Sequence, residues 1–492
     1  MSHSRTSEES EQGHTHVALP LDNEDGFLDQ PEYGRKYDYT HDKKDMSRLG
    51  RRQQLKRRFK DRVSMLDYVY FYRIGTDPAP VSIAEYVVVL GNTWEFVVVT
   101  AAFSLANGGT AGAIWTTLIV CADMFLCVLS KAEVASMAPT SGGWQAGMPA
   151  VAYIFAQQIL ALISVCNPDY VLQGWHGALM TIASATSAIV LSVYVMQRLT
   201  LTQGLAVAAH VIGFVAFLTV LWVKGPGSHT SASEVLINFE DLNGWGSYGL
   251  ATLVAIIGPI STYIGGDSAV QLAEELQDAN YVLPRAMVSA SAINYVMGTV
   301  ALITFMFNVG PIDDGLYIYG GQPWVTVIYR ITGSKAATIM MIVIVAINFY
   351  CLQINMVMTS SRQVWAFARD KGLPFSPFLA KVTPNGTPRK SVAITLAFTI
   401  LLSLIIIGSF TAFSVILSFG NAGIYTSYVV ILLAIIYRRF DGNKFPPTKF
   451  SLGRWGLAVN LAALIYISVA LVFTFFPPMP NPTPASMWVS RE

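Results

Sequence analysis

The stretch YGLATLVAIIGPISTYIGGDSAVQL, Tyr248 to Leu272, is long and apolar enough to cross a bilayer, yet it is interrupted in its middle. Gly258-Pro259 comes first, then Tyr263-Ile264-Gly265-Gly266-Asp267-Ser268, and the run ends in Glu274-Glu275. In hydrocarbon an unpaired backbone N–H or C=O costs several kcal/mol, so a broken helix persists only where protein or a water-filled cavity satisfies it. A carboxylate at membrane depth costs on the order of 3 kcal/mol on insertion scales, which makes Asp267 a functional candidate. The segment therefore belongs inside a bundle of other membrane helices.

Five spans earlier the pattern recurs. Leu90-Gly91-Asn92-Thr93-Trp94-Glu95 interrupts a β-branched, apolar run with a glycine, two hydrogen-bonding side chains and an acid. Paired interruptions in corresponding halves are the mark of a secondary transporter built from inverted repeats, and an odd number of spans per half turns the halves in opposite directions. Close helix packing would account for Gly91, Gly265 and Gly266 but leaves Glu95 and Asp267 unexplained. The expected substrate site is Gly91, Asn92, Thr93, Trp94, Tyr263, Gly265, Gly266 and Asp267, with Glu95 and Asp267 as proton-coupling acids. Half-helix N-termini suit a carboxylate and half-helix carbonyl ends suit an ammonium, so a zwitterionic amino acid matches both. Trp94 and Tyr263 could face a cation through their rings or serve as packing residues.

Composition agrees with a membrane protein. The chain has 492 residues, of which 53% are apolar and only 13% charged, and its mean hydropathy is +0.46. A soluble chain carries about 25% charge. The net charge of +1 argues against a nucleic-acid partner. Basic residues nevertheless crowd at Arg48, Arg51, Arg52, Lys56, Arg57, Arg58, Lys60 and Arg62, ahead of the first apolar span. That cluster reads as an orientation signal that keeps the N-terminus cytosolic, or as a contact to anionic lipid. Residues 1–64 lack any apolar run and are expected to be a disordered cytosolic tail. His14 and His16 in it read as solvated rather than metal-bound, and Lys36, Lys43 and Lys44 are candidate regulatory positions.

A helix needs ~20 apolar residues to cross. Eleven candidates follow: Ser82–Ala106, Thr110–Met137, Trp144–Cys166, Gly174–Met196, Gly204–Val223, Tyr248–Leu272, Ala286–Val309, Ala336–Arg362, Val392–Ile407, Thr411–Tyr437 and Trp455–Phe476. The expected fold class is thus all-α and polytopic, in a permease domain over 65–476, with 477–492 as a short C-terminal tail. The loops on the side of the basic tail are richer in Lys and Arg, which places that side in the cytosol. The acceptor pattern Asn385-Gly386-Thr387 falls there and should be silent.

The four cysteines, Cys121, Cys127, Cys166 and Cys351, have no metal-ligand spacing and read as packing residues. Tyr153 with Gln157, and Asn355 with Thr359, share helix faces and either line a pathway or bond helix to helix. His210 and Asp123 read as buried-pairing or interface residues. There is no GxSxG elbow, P-loop or HExxH motif, so neither a hydrolase nor a nucleotide-driven pump is supported. No enzyme activity, cofactor or metal is expected.

Several stretches resemble one family. Lys131-Ala132-Glu133-Val134-Ala135-Ser136-Met137-Ala138-Pro139-Thr140-Ser141-Gly142-Gly143 resembles the end of the second helix in amino acid permeases. Asn167-Pro168-Asp169-Tyr170 with Trp175-His176-Gly177 is similar to an outer loop of the fungal amino acid/choline permease branch, and Gly266-Asp267-Ser268-Ala269 with Glu274-Glu275 to that branch's sixth helix. Ser361-Arg362-Gln363-Val364-Trp365-Ala366-Phe367-Ala368-Arg369-Asp370-Lys371-Gly372-Leu373-Pro374, just after the eighth span, is the longest match. The resemblance covers roughly residues 65–488. It implies a permease of the amino acid–polyamine–organocation superfamily, with five-plus-five inverted repeats and twelve helices. It further implies plasma-membrane uptake of amino acids, γ-aminobutyrate, choline or related amines, coupled to protons.

Two departures stand out. The family continues after the double glycine with an amphipathic segment before the third helix; here Gly143 runs straight into Trp144. At the other end, Pro477-Pro478 to Met487-Trp488 resembles the lead-in to a final helix, and then the chain stops. Besides a working transporter, a nutrient sensor and an inactive variant are the readings left open.

Overall fold

The computed structural model describes residues 59–60, 81–138, 147–195, 199–225, 231–276, 278–310, 319, 321–383, 388–408, 410–441, 445–446, 448–477 and 480. The remainder of the N-terminal tail, the junction between the second and third spans and the Asn385 acceptor pattern lie outside these residues.

The described chain is helical apart from one two-residue parallel pairing, Phe59–Lys60 with Val81–Ser82. Runs such as Val87-Val88-Val89 and Val97-Val98-Val99 have modest helix propensity in water. In a bilayer they are helical because the backbone has no solvent to bond and must close its hydrogen bonds internally. Helix α1 (Ile83–Gly91) and helix α2 (Thr93–Met137) meet at Asn92. Together they would form a rod of ~80 Å at ~1.5 Å per residue, far longer than the ~30 Å hydrocarbon core. Gly109 divides the rod at φ 64°, ψ −164°, a conformation that glycine adopts without the penalty of a Cβ. A Cβ there would lie 2.9 Å from that of Glu240.

The chain continues with α3 (Gly147–Cys166), α4 (Gly174–Val195), α5 (Leu199–Lys224), the short α6 (Ala232–Ile237), α7 (Tyr248–Ala255) and α8 (Ile257–Tyr263). A 3₁₀ segment, Ser268–Glu275, completes the sixth span. Then come α9 (Ala279–Asn308), α10 (Pro323–Thr332), α11 (Lys335–Arg369), α12 (Ser376–Leu379), α13 (Arg389–Gly408), α14 (Phe410–Phe440) and α15 (Gly456–Thr474). Ten described helical stretches are long and apolar enough to cross a membrane, and the first of them, Ile83–Met137, holds two crossings. The expected eleven spans are therefore present, in an all-α polytopic fold.

Two boundaries and one burial differ from expectation. The seventh span begins at Ala279 rather than Ala286, with Pro284 inside its first turns. The expected start of the third span at Trp144 lies outside the described residues; its described part, Gly147–Cys166, has 20 residues, just enough to cross. The eighth span does not stop at Arg362 but runs to Arg369, so most of the Ser361–Pro374 motif is helix rather than a loop. Ion pairs to Glu274 and Glu275 at the end of the sixth span hold that extension in place. Finally, Cys166 is exposed at the end of α3, not packed in the interior; Cys127 is the buried one.

α9 lies along α2, which also packs against α7 and α8; α11 packs on α3, and α13 on α4. The first and sixth spans are joined directly, with Thr100 and Thr262 hydroxyls 3.1 Å apart and Ser104 Oγ donating to Ala255 O at 3.2 Å. Ile119, Val190, Ile212, Val215, Leu401 and Phe419 are half or more exposed, forming the apolar surface that lipid covers. The expected alternative for Asn355 is settled in favour of helix-to-helix bonding: its amide exchanges two hydrogen bonds with Gln203, at 2.7 and 3.0 Å.

Ion pairs staple the end of the bundle at which the first span begins. Arg362 Nε donates to Glu275 Oε1 at 2.6 Å with both side chains 1% exposed, and Arg369 Nη1 reaches Glu274 Oε1 at 2.6 Å. Arg439 pairs with Glu133 at 2.5 Å, and Glu133 also accepts from Ser451 Oγ and Leu452 N. Lys449 and Asp278 pair at 2.5 Å on the rim, with the lysine 45% exposed. Removing one partner of a buried pair strands a charge and costs about 3–5 kcal/mol, whereas an exposed pair is worth about 1 kcal/mol or less. Arg362→Met should therefore lower the thermal midpoint of the detergent-purified protein by several degrees, and Lys449→Ala should leave it nearly unchanged. Equal effects in a thermal melt would contradict this ranking.

Candidate functional site

The first break is a single residue in the left-handed region. Asn92, 1% exposed, has φ 40°, ψ 39°. Its N–H still reaches Val88 O at 3.3 Å, and Phe96 N donates to Asn92 O at 3.2 Å. The turn Thr93–Glu95 thus opens a new helix N-terminus inside the protein, where the first N–H groups have no intrahelical acceptor. With its amide nitrogen turned toward the carboxylate, Asn92 donates to both oxygens of Glu95, at 3.1 and 3.2 Å.

The second break is longer. α8 ends at Tyr263, Ile264 is extended, and Gly265 sits at φ 103° before Gly266 and Asp267. A Cβ at Gly265 would meet nothing closer than Ser268 Oγ at 3.4 Å, so backbone conformation, not crowding, demands the glycine. At Gly266 crowding decides: a Cβ would lie 2.5 Å from Ser291 Oγ and 2.7 Å from Val128 Cγ2.

One face of α9 serves both breaks. Asn294 Nδ2 donates to Val88 O at 3.1 Å, beside the first break. Its neighbour Tyr295 donates its hydroxyl to Tyr263 O at 2.5 Å, closing a carbonyl freed by the second. Ser291 lies against Gly266, and Gly298 is where the two breaks meet. A Cβ on Gly298 would be 2.6 Å from Thr93 Cγ2 and 3.2 Å from Tyr263 Oη. Tyr263 also shares a hydrogen bond with Thr299 at 2.9 Å and stacks edge-on against Tyr295, with centroids 4.9 Å apart.

The two acids have different partners. Glu95, fully buried, bonds through Oε1 to His210 Nδ1 at 2.8 Å. His210 belongs to α5 and is 1% exposed. Asp267 Oδ1 accepts from the Tyr428 hydroxyl at 2.8 Å and pairs with Lys131 Nζ at 3.2 Å. No described side chain bonds to both acids. Trp94 is wholly buried, its Nε1 donating to His210 O at 3.2 Å and its ring packed among His210, Phe214 and Phe217. In this conformation it is a packing residue behind Glu95.

Gly91, Thr93, Tyr263 and Gly266 are thus brought together on one face of α9, whereas Glu95 lies against α5 with Trp94 beside it, and Asp267 lies against α2 and α14. His210, Lys131 and Tyr428 were not singled out as site residues. A histidine and a lysine on apolar spans were the available signal, since intramembrane ionisable groups are rare without a partner; nothing local marks Tyr428. Among the described residues no group of three or more His, Cys, Asp or Glu side chains could hold a metal ion.

The contact of Gly91 with Asn294 makes a testable pair. A Cβ on Gly91 would lie 2.4 Å from Asn294 Nδ2, so Gly91→Ala should push the amide off Val88 O and cost about 1–3 kcal/mol. Asn294→Ala should cost a similar amount and vacate the space. The double variant should be less destabilised than the sum of the two, as judged by thermal midpoints; additivity would show the contact to be irrelevant.

Residues 143–490 match the family described as amino acid permease. A putative amino acid/polyamine transporter of Macrophomina phaseolina is 27% identical over 421 residues, covering 78% of this chain and 91% of that protein. An uncharacterized amino-acid permease of Schizosaccharomyces pombe is 25% identical over 491 residues, 93% of this chain and 85% of its own length. The choline transporter of Saccharomyces cerevisiae is 22% identical over 420 residues, 79% and 74% of the respective chains. The broken spans, the helical membrane fold and this match agree: the chain belongs to the amino acid permease family and is an integral membrane transporter, not an enzyme.

Proposed function

We propose that the chain takes up amino acids or related amines such as γ-aminobutyrate, coupled to protons, across the plasma membrane, with its N-terminus in the cytosol. The observation that carries this reading is the meeting of both helix breaks at Gly298, where Thr93 and Tyr263 approach one point on α9. The opened N-terminus at Thr93 suits a substrate carboxylate, and the carbonyl end at Tyr263–Gly265 suits an amine. The relative named an amino acid/polyamine transporter fits the same substrate chemistry. Glu95 with His210, and Asp267 with Lys131, are the acids through which a proton would be coupled. Choline is the second reading, favoured by the yeast relative of that name.

The test is radiolabelled uptake in cells lacking their own permeases, with a pH jump imposed across the membrane. Glu95→Gln and Asp267→Asn should both reach the membrane. Losing a charge-assisted hydrogen bond, worth ~1.5–3 kcal/mol, should reduce gradient-driven accumulation roughly ten- to a hundredfold. Normal accumulation by either variant removes that acid from the mechanism. Competition by choline but not by neutral amino acids would replace the amino-acid reading with the choline one. Full uptake by the unaltered chain would dispose of the sensor and inactive-variant readings.

A further inference from the structure

We propose that Lys131 is the built-in cation of the sixth-span break: its ammonium fills the seat made by Asp267 and Tyr428, and so sets the site for substrates without net positive charge. This deepens the transport reading and rests on it for the substrate clause alone.

The seat has the chemistry of an ammonium receptor. Lys131 Nζ lies 3.2 Å from Asp267 Oδ1 and 3.3 Å from the centre of the Tyr428 ring. Tyr428 donates its hydroxyl to the same carboxylate oxygen at 2.8 Å, which fixes the ring and the acid relative to each other. A carboxylate beside an aromatic face is what a protein offers to a substrate ammonium or a quaternary amine. Here three elements, α2, the sixth-span break and α14, assemble that receptor around the chain's own side chain.

Exposure gives the arrangement a direction. The Asp267 side chain is 30% exposed, whereas Lys131 is 6% and Tyr428 3%. The acid is reached from an open side and the ammonium is held behind it. Lys131 is flanked on α2 by Cys127, Val128 and Ala132, each 1% exposed or less. Burying an ammonium there is expensive unless it is paired, and its only ionic partner among the described residues is Asp267. The other acid at the breaks, Glu95, is likewise engaged by His210. Neither break leaves a bare carboxylate for a permanent cation, and a quaternary amine arriving at Asp267 would meet the lysine's like charge.

A purely structural clamp between α2 and α14 makes different predictions. In the purified full chain, Lys131→Ala should lower the thermal midpoint. Methylammonium, which restores the deleted cation, should recover it at ~10–100 mM, whereas equal sodium chloride should not. Lys131→Arg should keep the wild-type midpoint unaided. Lys131→Ala combined with Asp267→Asn should be insensitive to methylammonium. Choline should stabilise Lys131→Ala at concentrations about tenfold or more below any at which it affects the wild type. Should the alanine variant fail to accumulate in membranes, its yield with and without methylammonium in the growth medium reads the same seat. No recovery, equal recovery by sodium, an equal response of the double variant, or choline stabilising the wild type as well as the variant would each overturn the proposal. A wild type that takes up neither γ-aminobutyrate nor alanine defeats the transport reading instead, while the methylammonium response still decides what Lys131 does.

Discussion

The hydrogen-bonding demand of a backbone in hydrocarbon is the constraint on which the structure depends. Two membrane helices are opened at mid-span, and each opening frees groups that lipid cannot satisfy. α9 stands at both places with successive residues: Tyr295 closes the freed Tyr263 O, and Asn294 adds a second bond to Val88 O, which still accepts from Asn92 N. Ser291, Asn294 and Gly298 are spaced by three and four residues and so lie on one helix face, where small or polar side chains let the two broken spans come close. The two breaks therefore approach each other across an unbroken helix that packs beside both. A change on α9 would disturb both breaks together even though α9 itself contributes no acid.

The stapled end of the bundle gives the long motif of the eighth span a physical role. Glu274 and Glu275 follow directly on the sixth-span break, and Arg369 and Arg362 bind them from the extension of α11. A 3₁₀ segment has poorer hydrogen-bond geometry than an α-helix, so these pairs add an anchor between this half of the sixth span and α11. Breaking and remaking such pairs is the kind of two-state change that alternating access uses.

Among the described residues, five buried or half-buried acids are each paired with a basic side chain. Glu95 has His210, Asp267 has Lys131, Glu275 has Arg362, Glu274 has Arg369 and Glu133 has Arg439. An unpaired carboxylate at this depth would be far more costly than any of these contacts is favourable.

Local features of the chain were legible because their causes are local. Gly91-Asn92 and Gly265-Gly266-Asp267 break helices through backbone freedom and missing side chains, and the apolar runs between polar loops mark eleven spans by length alone. The long motif after the eighth span was legible as a family resemblance, but its helical state was not, since Arg362 and Arg369 are stabilised there by Glu275 and Glu274 from another span. The partners of the site acids were likewise hidden. Nothing around His210 announces Glu95, which lies 115 positions away, and Lys131 reads as part of a helix end until folding brings it against Asp267 and Tyr428. Trp94 stands beside a break in the chain but is turned by α5 into the packing behind it. Where a helix breaks depends on its own residues; what each freed group or buried charge bonds to depends on which other span packs against it, and only the tertiary structure decides that.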